Sequence, residues 1–308
     1  KHNQKVHRVP LLSGPVEFVE QEIFTDPYLL GVLLGDGHIS KSMAITTADI
    51  EIIDECLKVL PEKHKIVYKG NYDYRVQSNK MTNQIKLDLQ NIGIWGKLSP
   101  EKFIPDVYKF NTKECRLALL QGLMDTDGWI CKHRSGNCRM QFCSTSKNLA
   151  EDVMFLVRSL GGMAYCKVRE FDESDNHIYK GNMIRHVHDL HVVDLMLDVC
   201  PFRLTRKAEQ YTNNQKFTKM ISSIKPIGED DCTCIQVEAD DHLYLTNDFI
   251  VTHNTFDDAV CIFDEAQNAS ALQLKLFLTR FGENSKIIIT GDPSQSDIAG
   301  KVALIDIM

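Results

Sequence analysis

The chain has 308 residues, 43% of them hydrophobic, and a formal net charge of −7. At ~100–200 residues per domain this allows about two domains with cores of their own, and no apolar run approaches the ~20 residues of a membrane-spanning helix. The acidity argues against a nucleic-acid partner only until it is located. Fifteen acidic and four basic residues stand in 229–308, so the first 228 carry a net +4, and "PFRLTRKAEQYTNNQKFTKM" (201–220) is locally strongly basic. A phosphate-binding surface fits there.

The first residues, "KHNQKVHRVP", lack the apolar stretch of a secretion signal and an initiator Met. A cytoplasmic protein, of prokaryotic or phage origin and cut from a longer chain, is expected. The ten cysteines are irregularly spaced with no C-x-x-C pair, the pattern of reduced, mostly buried thiols rather than of a zinc site.

The first strong element is "PYLLGVLLGDGHIS" (27–40), an apolar run of helical length with Pro27 in its first turn, ending on Asp36-Gly37. Strand "MAITT", helix "ADIEIIDECLKVL" and strands "HKIVYK" and "YDYRVQS" follow. The pattern then starts again at "LALLQGLMDTDGWI" (117–130), which ends on Asp127-Gly128, with "NCRMQFCST", "SKNLAEDVMFLVRSLGG", "AYCKVRE" and "IRHVHDLHV" behind it. Gly37 and Gly128 are expected as helix C-caps. Within the two runs, Gly31 and Gly35 match Gly122 and Thr126. Small residues four apart share a helix face and let two backbones approach closely. Packed through those faces, the helices bring Asp36 and Asp127 side by side. Two such carboxylates repel each other unless a cation lies between them, and hard oxygen ligands favour Mg²⁺. Two αββαββ-type halves would form a saddle of sheets whose pseudo-two-fold symmetry suits duplex DNA.

These paired segments resemble the two motifs of the LAGLIDADG homing endonucleases, over roughly residues 25–220, and "KFIPDVY" (102–108) and "PFRLTRKAEQY" (201–211) resemble that family's later blocks. The resemblance implies Asp36 and Asp127 as metal-binding catalytic acids. It also implies Lys102 and Lys207 as basic residues near the scissile phosphates, double-strand cleavage as the reaction, and the intein-less allele of a host gene as the DNA partner.

Further on, "CIQVEADDHLYLTNDFIVTHNT" (234–255) reads as strand, turn, strand, then His253-Asn254-Thr255, and resembles the C-terminal splicing blocks of an intein. The Asn254 amide nitrogen can attack its own main-chain carbonyl and release the next peptide bond; His253 is placed to protonate the departing nitrogen or polarise the carbonyl, and Thr255 supplies the hydroxyl nucleophile. His242 is a second proton-transfer candidate, and Cys234 stands where many inteins carry Asp. The N-terminal splicing half is expected to lie outside this chain except for "VHRVPLLSGPVEF", so only Asn254-driven cleavage is expected of this polypeptide alone. The last segment, "AVCIFDEAQN" through "SKIIITGDPSQ", reads as two buried strands flanking a helix and resembles the PhoH-like ATPases, a P-loop family. That implies Asp264 as an indirect Mg²⁺ ligand, Glu265 orienting the attacking water and Gln295 sensing phosphate, with ATP/Mg²⁺ binding only in a complete extein that supplies the Gly-rich loop.

The expected fold class is therefore α+β. Residues 1–24 would be the end of the N-terminal splicing half, 25–220 a pseudo-two-fold endonuclease and 221–254 part of a β-rich splicing (Hint) domain. Residues 255–308 would be a short α/β P-loop extein fragment. Two other functions fit the same residues: a degenerate intein that only binds DNA, and a nucleotide-binding ATPase module carrying a non-functional insertion. "HVHDLH" (186–191) reads as solvated strand histidines and "DESDN" (172–176) as an exposed turn.

Overall fold

The computed structural model describes residues 8–9, 11–79, 82–132, 138–171, 177–179, 182–184, 187–213, 219–221, 223, 225, 237, 243–253, 260–263, 266–268, 278 and 286–291. Two units separate: Leu11–Thr218, and Lys1–Pro10 together with Lys219–Met308. The larger unit begins at Leu11 rather than at residue 25, because the intervening strap is held. The Val16 N–H donates to the Ser159 carbonyl at 2.8 Å. The fully buried Arg116 guanidinium binds the Val16 carbonyl and lies 4.8 Å from the Phe18 ring centroid. Phe18 in turn meets Phe110 edge-on at 5.5 Å.

Strand β1 (Arg8–Val9) belongs to the other unit. The first half of the large unit runs α1 (Pro27–Leu34), β2 (Gly37–His38), β3 (Ala44–Thr46), α2 (Ile50–Val59), β4 (His64–Gly70), β5 (Asp73–Ser78). Helices α3 (Gln84–Asn91) and α4 (Asp106–Lys109) lead to the second half: α5 (Lys113–Thr126), β6 (Gly128–Lys132), β7 (Cys138–Ser144), α6 (Lys147–Ser159), β8 (Met163–Arg169). A hairpin of β9 (His177–Tyr179) and β10 (Asn182–Ile184) precedes β11 (Leu190–Met196), and α7 (Thr205–Ala208) follows. The αββαββ order thus occurs twice. Both antiparallel sheets have the same order, β2-β3-β5-β4 and β6-β7-β11-β8.

Local chemistry sets the helix starts. Asp26 accepts the N–H groups of Tyr28 and Leu29, and Thr112 and Ser146 cap α5 and α6 in the same way. Every residue of Tyr28–Leu34 is buried, which suits a helix enclosed by α5, α2 and β3. The two halves share one core, in which Leu29, Leu33, Leu119, Leu123, Phe142 and Leu156 are all buried.

Two expectations are corrected. The caps of α1 and α5 are Gly35 and Asp127, with φ of −77° and −87°, so neither end uses a left-handed glycine. Gly37 and Gly128 instead open the next strands. A Cβ there would lie 2.2 Å from the Leu33 carbonyl oxygen or 2.3 Å from that of Met124, so close approach requires glycine. The strand expected over "IRHVHDLHV" begins only at Leu190; His188 lies exposed in the bend before it, and His186 and 172–176 fall outside the described residues. Seven of the described cysteines are free thiols; of these Cys56, Cys115 and Cys138 are buried and Cys131 is exposed. No helix among the described residues is long and apolar enough to cross a membrane.

In the other unit β1 pairs antiparallel with β12 (Lys219–Met220). β13 (Leu243–Thr246) and β14 (Ile250–His253) form the expected hairpin around 247–249, where Asp248 and Phe249 take positive φ. β15 (Val260–Phe263) and β16 (Lys286–Ile289) pair in parallel.

Candidate active site

The site is made where α1 crosses α5. A Cβ on Gly31 would sit 2.3 Å from the Leu119 carbonyl oxygen and 3.0 Å from the Gly122 Cα; one on Gly122 would sit 2.3 Å from the Tyr28 carbonyl oxygen and 3.0 Å from the Gly31 Cα. The two backbones therefore touch through the matched glycines. One turn further on, a Cβ on Gly35 would lie 3.3 Å from Oδ2 of Asp127. The two helices thus end together, and Asp36 and Asp127 follow immediately, each with its main chain fixed to the adjoining hairpin. The Asp36 carbonyl accepts the Thr46 N–H at 3.2 Å, and the Asp127 carbonyl accepts the Cys143 N–H at 3.3 Å.

Both carboxyls are half-buried, and both are pushed above the usual range. For Asp127 burial comes first and the charge of Asp36 second, raising it to about 6 against the pull of Lys102 and Lys207. For Asp36 burial outweighs the same two lysines. The protein supplies two carboxylates and no more: among the described residues no cluster of three or more His, Cys, Asp or Glu is placed to hold a metal. Paired hard oxygens that resist sharing their charge suit a hydrated divalent cation with outside ligands, such as phosphate, completing its shell.

Lys102 and Lys207 are buried, at 4% and 5% exposure. The ammonium of Lys102 lies 2.8–3.3 Å from the carbonyls of Leu33, Leu34, Gly35 and Gly37; that of Lys207 lies 2.6–3.4 Å from those of Met124, Asp125, Thr126 and Gly128. The two sets of carbonyls correspond one to one. Each lysine therefore caps the C-terminus of its own half's acid-bearing helix, supplying donors where four carbonyls lack them. Burial lowers both to about 8. The structure thus places the two lysines beneath the aspartates with their protons committed to the backbone.

Each capping loop is held by the opposite half. Ser146 Oγ, at the start of α6, donates to the Lys102 carbonyl at 2.6 Å, and Asp152 accepts the Ile104 N–H at 2.7 Å and the Lys109 ammonium at 2.9 Å. Reciprocally, around α2, Glu51 accepts the Thr205 N–H at 3.1 Å, and Asp49 accepts two bonds from Arg206, at 3.0 and 2.7 Å. The basic tract at 201–211 is thus spent largely on the protein itself, Arg203 also stacking 4.2 Å from the Tyr28 ring centroid. Sequence reasoning missed this clamp, because its partners lie 43 to 157 positions apart. It also missed Asp125, which is buried and accepts the Tyr28 hydroxyl at 2.9 Å and the Arg203 and Leu204 N–H groups at 3.1 Å. One signal was available: Asp125 replaces an apolar residue, Leu34, of the first copy.

Of the splicing candidates, His253 ends β14 with its main chain opposite Leu243. Its side chain, and His242, Asn254 and Thr255, lie outside the described residues, as do Asp264, Glu265 and Gln295. The parallel strands β15 and β16 are joined just beyond their ends, the Ala266 N–H donating to the Thr290 carbonyl at 3.0 Å.

Two parts of the chain match models of known protein families. A family model described as a LAGLIDADG-like domain matches residues 114–197, and one described as a PhoH-like protein matches residues 249–305. The chain thus contains a LAGLIDADG-like domain followed by a PhoH-like segment. Over 250 residues it is 28% identical to the replicative DNA helicase DnaB of Mycobacterium intracellulare, covering 78% of this chain and 37% of that protein. Over 44 residues it is 57% identical to protein PhoH of Escherichia coli K12 and 61% identical to the PhoH-like protein of Bacillus subtilis 168, 14% of this chain and 12% and 14% of theirs. The chain therefore spans little more than a third of the first of these relatives and about an eighth of the others. Among solved structures it is similar to the homing endonuclease I-DmoI in complex with DNA and Ca, at 16% identity and a TM-score of 0.36, over 60% of this chain and 95% of that one.

Proposed function

We propose that residues 11–218 are a divalent-cation-dependent homing endonuclease carried inside an intein, and that the intein interrupts a PhoH-like ATPase. The observation that carries the nuclease reading is the contact of Gly31 with Gly122, at helix ends followed by two carboxylates near enough for the charge of Asp36 to raise Asp127. A bound Mg²⁺ would supply the positive charge that polarises water and stabilises the phosphorane-like transition state. The chain's own part is positional. Asp36 and Asp127 hold the ion between the halves. Lys102 and Lys207 fix the helix ends and offset the negative potential that the carboxylates and helix C-termini create together. The outward faces of the two sheets carry Lys65, Arg75, Arg139 and Lys167, suited to a duplex lying across them.

Two features support the insertion. Lys1–Pro10 clusters with Lys219–Met308, so the nuclease interrupts a unit formed from both sides of it. The chain is also similar to two unlike proteins, a DNA helicase over 250 residues and PhoH over 44, as expected of an element that moves between genes. At its end, attack of the Asn254 amide nitrogen on its own carbonyl carbon closes a succinimide, breaks the bond to Thr255 and passes the displaced amide proton, by way of His253, to the Thr255 nitrogen. The PhoH-like extein would take ATP/Mg²⁺ through Asp264, Glu265 and Gln295 once its phosphate loop is supplied.

The test is cleavage of the host PhoH-like gene lacking the insert, with Mg²⁺. Linear product from the parent, and none from Asp36→Asn or Asp127→Asn, is expected. Equal cutting by the variants would end the nuclease reading, and duplex binding without cutting by the parent would favour a degenerate, binding-only element. Splicing chemistry is read separately: mass spectrometry should find scission at 254/255 that Asn254→Ala abolishes.

A further inference from the structure

The solvent face of the second sheet carries a cluster that the catalytic centre does not use. In β6, β7 and β11, Ile130, Met140, Phe142, Val193 and Leu195 are buried, so the alternate residues face outward. One row crosses all four strands: Trp129 opposite Gln141, Gln141 opposite Asp194, Asp194 opposite Tyr165. Asp194 is its hub. Oδ1 accepts Arg139 Nε at 3.1 Å, Arg139 Nη2 at 2.9 Å and Gln141 Nε2 at 2.8 Å, and Oδ2 accepts Lys167 Nζ at 3.0 Å. Burial alone would raise this carboxyl, but the bonds from Arg139, Lys167 and Gln141 outweigh it and hold it below its ordinary range, so it is ionised at neutral pH.

Three consequences follow from counting donors and acceptors. The Asp194 oxygens already have four donors, so the carboxylate has little capacity left to accept from a base. The Arg139 guanidinium uses its Nε edge on Asp194, which leaves the Nη1/Nη2 end directed away, on a side chain 58% exposed. A fork buttressed in this way has its rotamer fixed and half its charge answered. Phosphate attraction is thereby weakened, while the two directional donors are kept. A neutral edge with two acceptors matches them, and in the major groove that edge is O6 and N7 of guanine.

Resting on the reading of this unit as a duplex-DNA endonuclease, we propose that Arg139, aimed by Asp194, reads a guanine in the half-site facing the second half. Lys167 and Gln141, bonded to the same carboxylate, hold the pair in register on the sheet. Asp194 is a positioning residue; Arg139 makes the contact.

The experiment uses the intact chain with Ca²⁺ and a pool of randomised duplexes, sequencing the bound fraction. The parent should enrich a defined site. Arg139→Ala should lose the preference for guanine at one position, about tenfold to a hundredfold, and keep its preferences elsewhere. Asp194→Ala should weaken the same preference while binding unselected duplexes as tightly as the parent or more so, because the freed guanidinium turns to phosphate. Both residues lie on a solvent face, and unchanged melting midpoints would exclude misfolding; Arg139→Lys, which keeps the charge but not the fork, should show the same lost preference. If Arg139→Ala and Arg139→Lys select the parent's site unchanged, the inference fails and the endonuclease reading stands. If Asp194→Ala loses affinity for all duplexes equally, the buttress is overturned. A parent that binds no duplex overturns both readings.

Discussion

Gly31→Ala separates the architecture from the chemistry. Its Cβ would sit 2.3 Å from the Leu119 carbonyl oxygen and 3.0 Å from the Gly122 Cα, both backbone atoms of α5 that cannot rotate aside. An ordinary carbon–oxygen contact needs about 3.3 Å, so α1 and α5 must part by about 1 Å. Overpacking of this kind costs about 1–3 kcal/mol, and the better helix propensity of alanine returns up to about 1 kcal/mol. A net loss of about 1–2 kcal/mol lowers the melting midpoint of a unit this size by roughly 2–8 °C. The effect on cleavage should be much larger, because the same displacement moves Asp36 against Asp127, and misplacement by about 1 Å costs on the order of a hundredfold in rate. Thermal melting and single-turnover nicking of the insert-free host gene, on one preparation, measure both. A variant that melts several degrees lower and still cuts at the parental rate would refute the claim that this contact sets the carboxylate spacing. Parental values of both would refute the contact itself.

Asp127→Asn should stabilise the metal-free protein at pH 7 while abolishing cleavage, by up to about 3 kcal/mol for a carboxyl raised to about 6 from its ordinary range. The sign is set by a folded-state value above the unfolded one: the parent's deficit is absent below pH 4 and grows as pH rises through 6, so the difference in melting midpoint, measured in EDTA, should shrink at pH 5. Lys102→Met removes the donor shared by four carbonyls and leaves those of Leu33 and Leu34 buried without it, costing about 2–4 kcal/mol by urea titration. Arg206→Ala breaks only the exposed half of the reciprocal clamp, so it should cost under about 1 kcal/mol in stability yet slow the nicking of one strand more than the other; equal slowing of both would refute independent support of the two helix ends. Tyr28→Phe should cost about 1–3 kcal/mol by leaving Asp125 without one of its buried donors.

Local pattern carried a great deal here. Apolar runs ending in Asp-Gly, small residues four apart and a repeated order of elements are short-range features, and each reports a helix face, a close backbone approach or a strand period without reference to distant partners. The α1–α5 crossing, the duplicated αββαββ order, the 243–253 hairpin and the parallel pairing of β15 with β16 were all legible for that reason. The tertiary structure alone decided what the charges do. In the sequence, Lys102, Arg203, Arg206 and Lys207 are indistinguishable from a solvated basic surface, because a cation's role depends on which oxygens lie within 3 Å of it. Folding sets those neighbours from residues many tens of positions away, burying both lysines under helix ends and turning Arg206 onto Asp49 of the opposite half. The same reason hid Asp125 and the Asp194 hub, whose donors meet them only once strands and helices have been brought together.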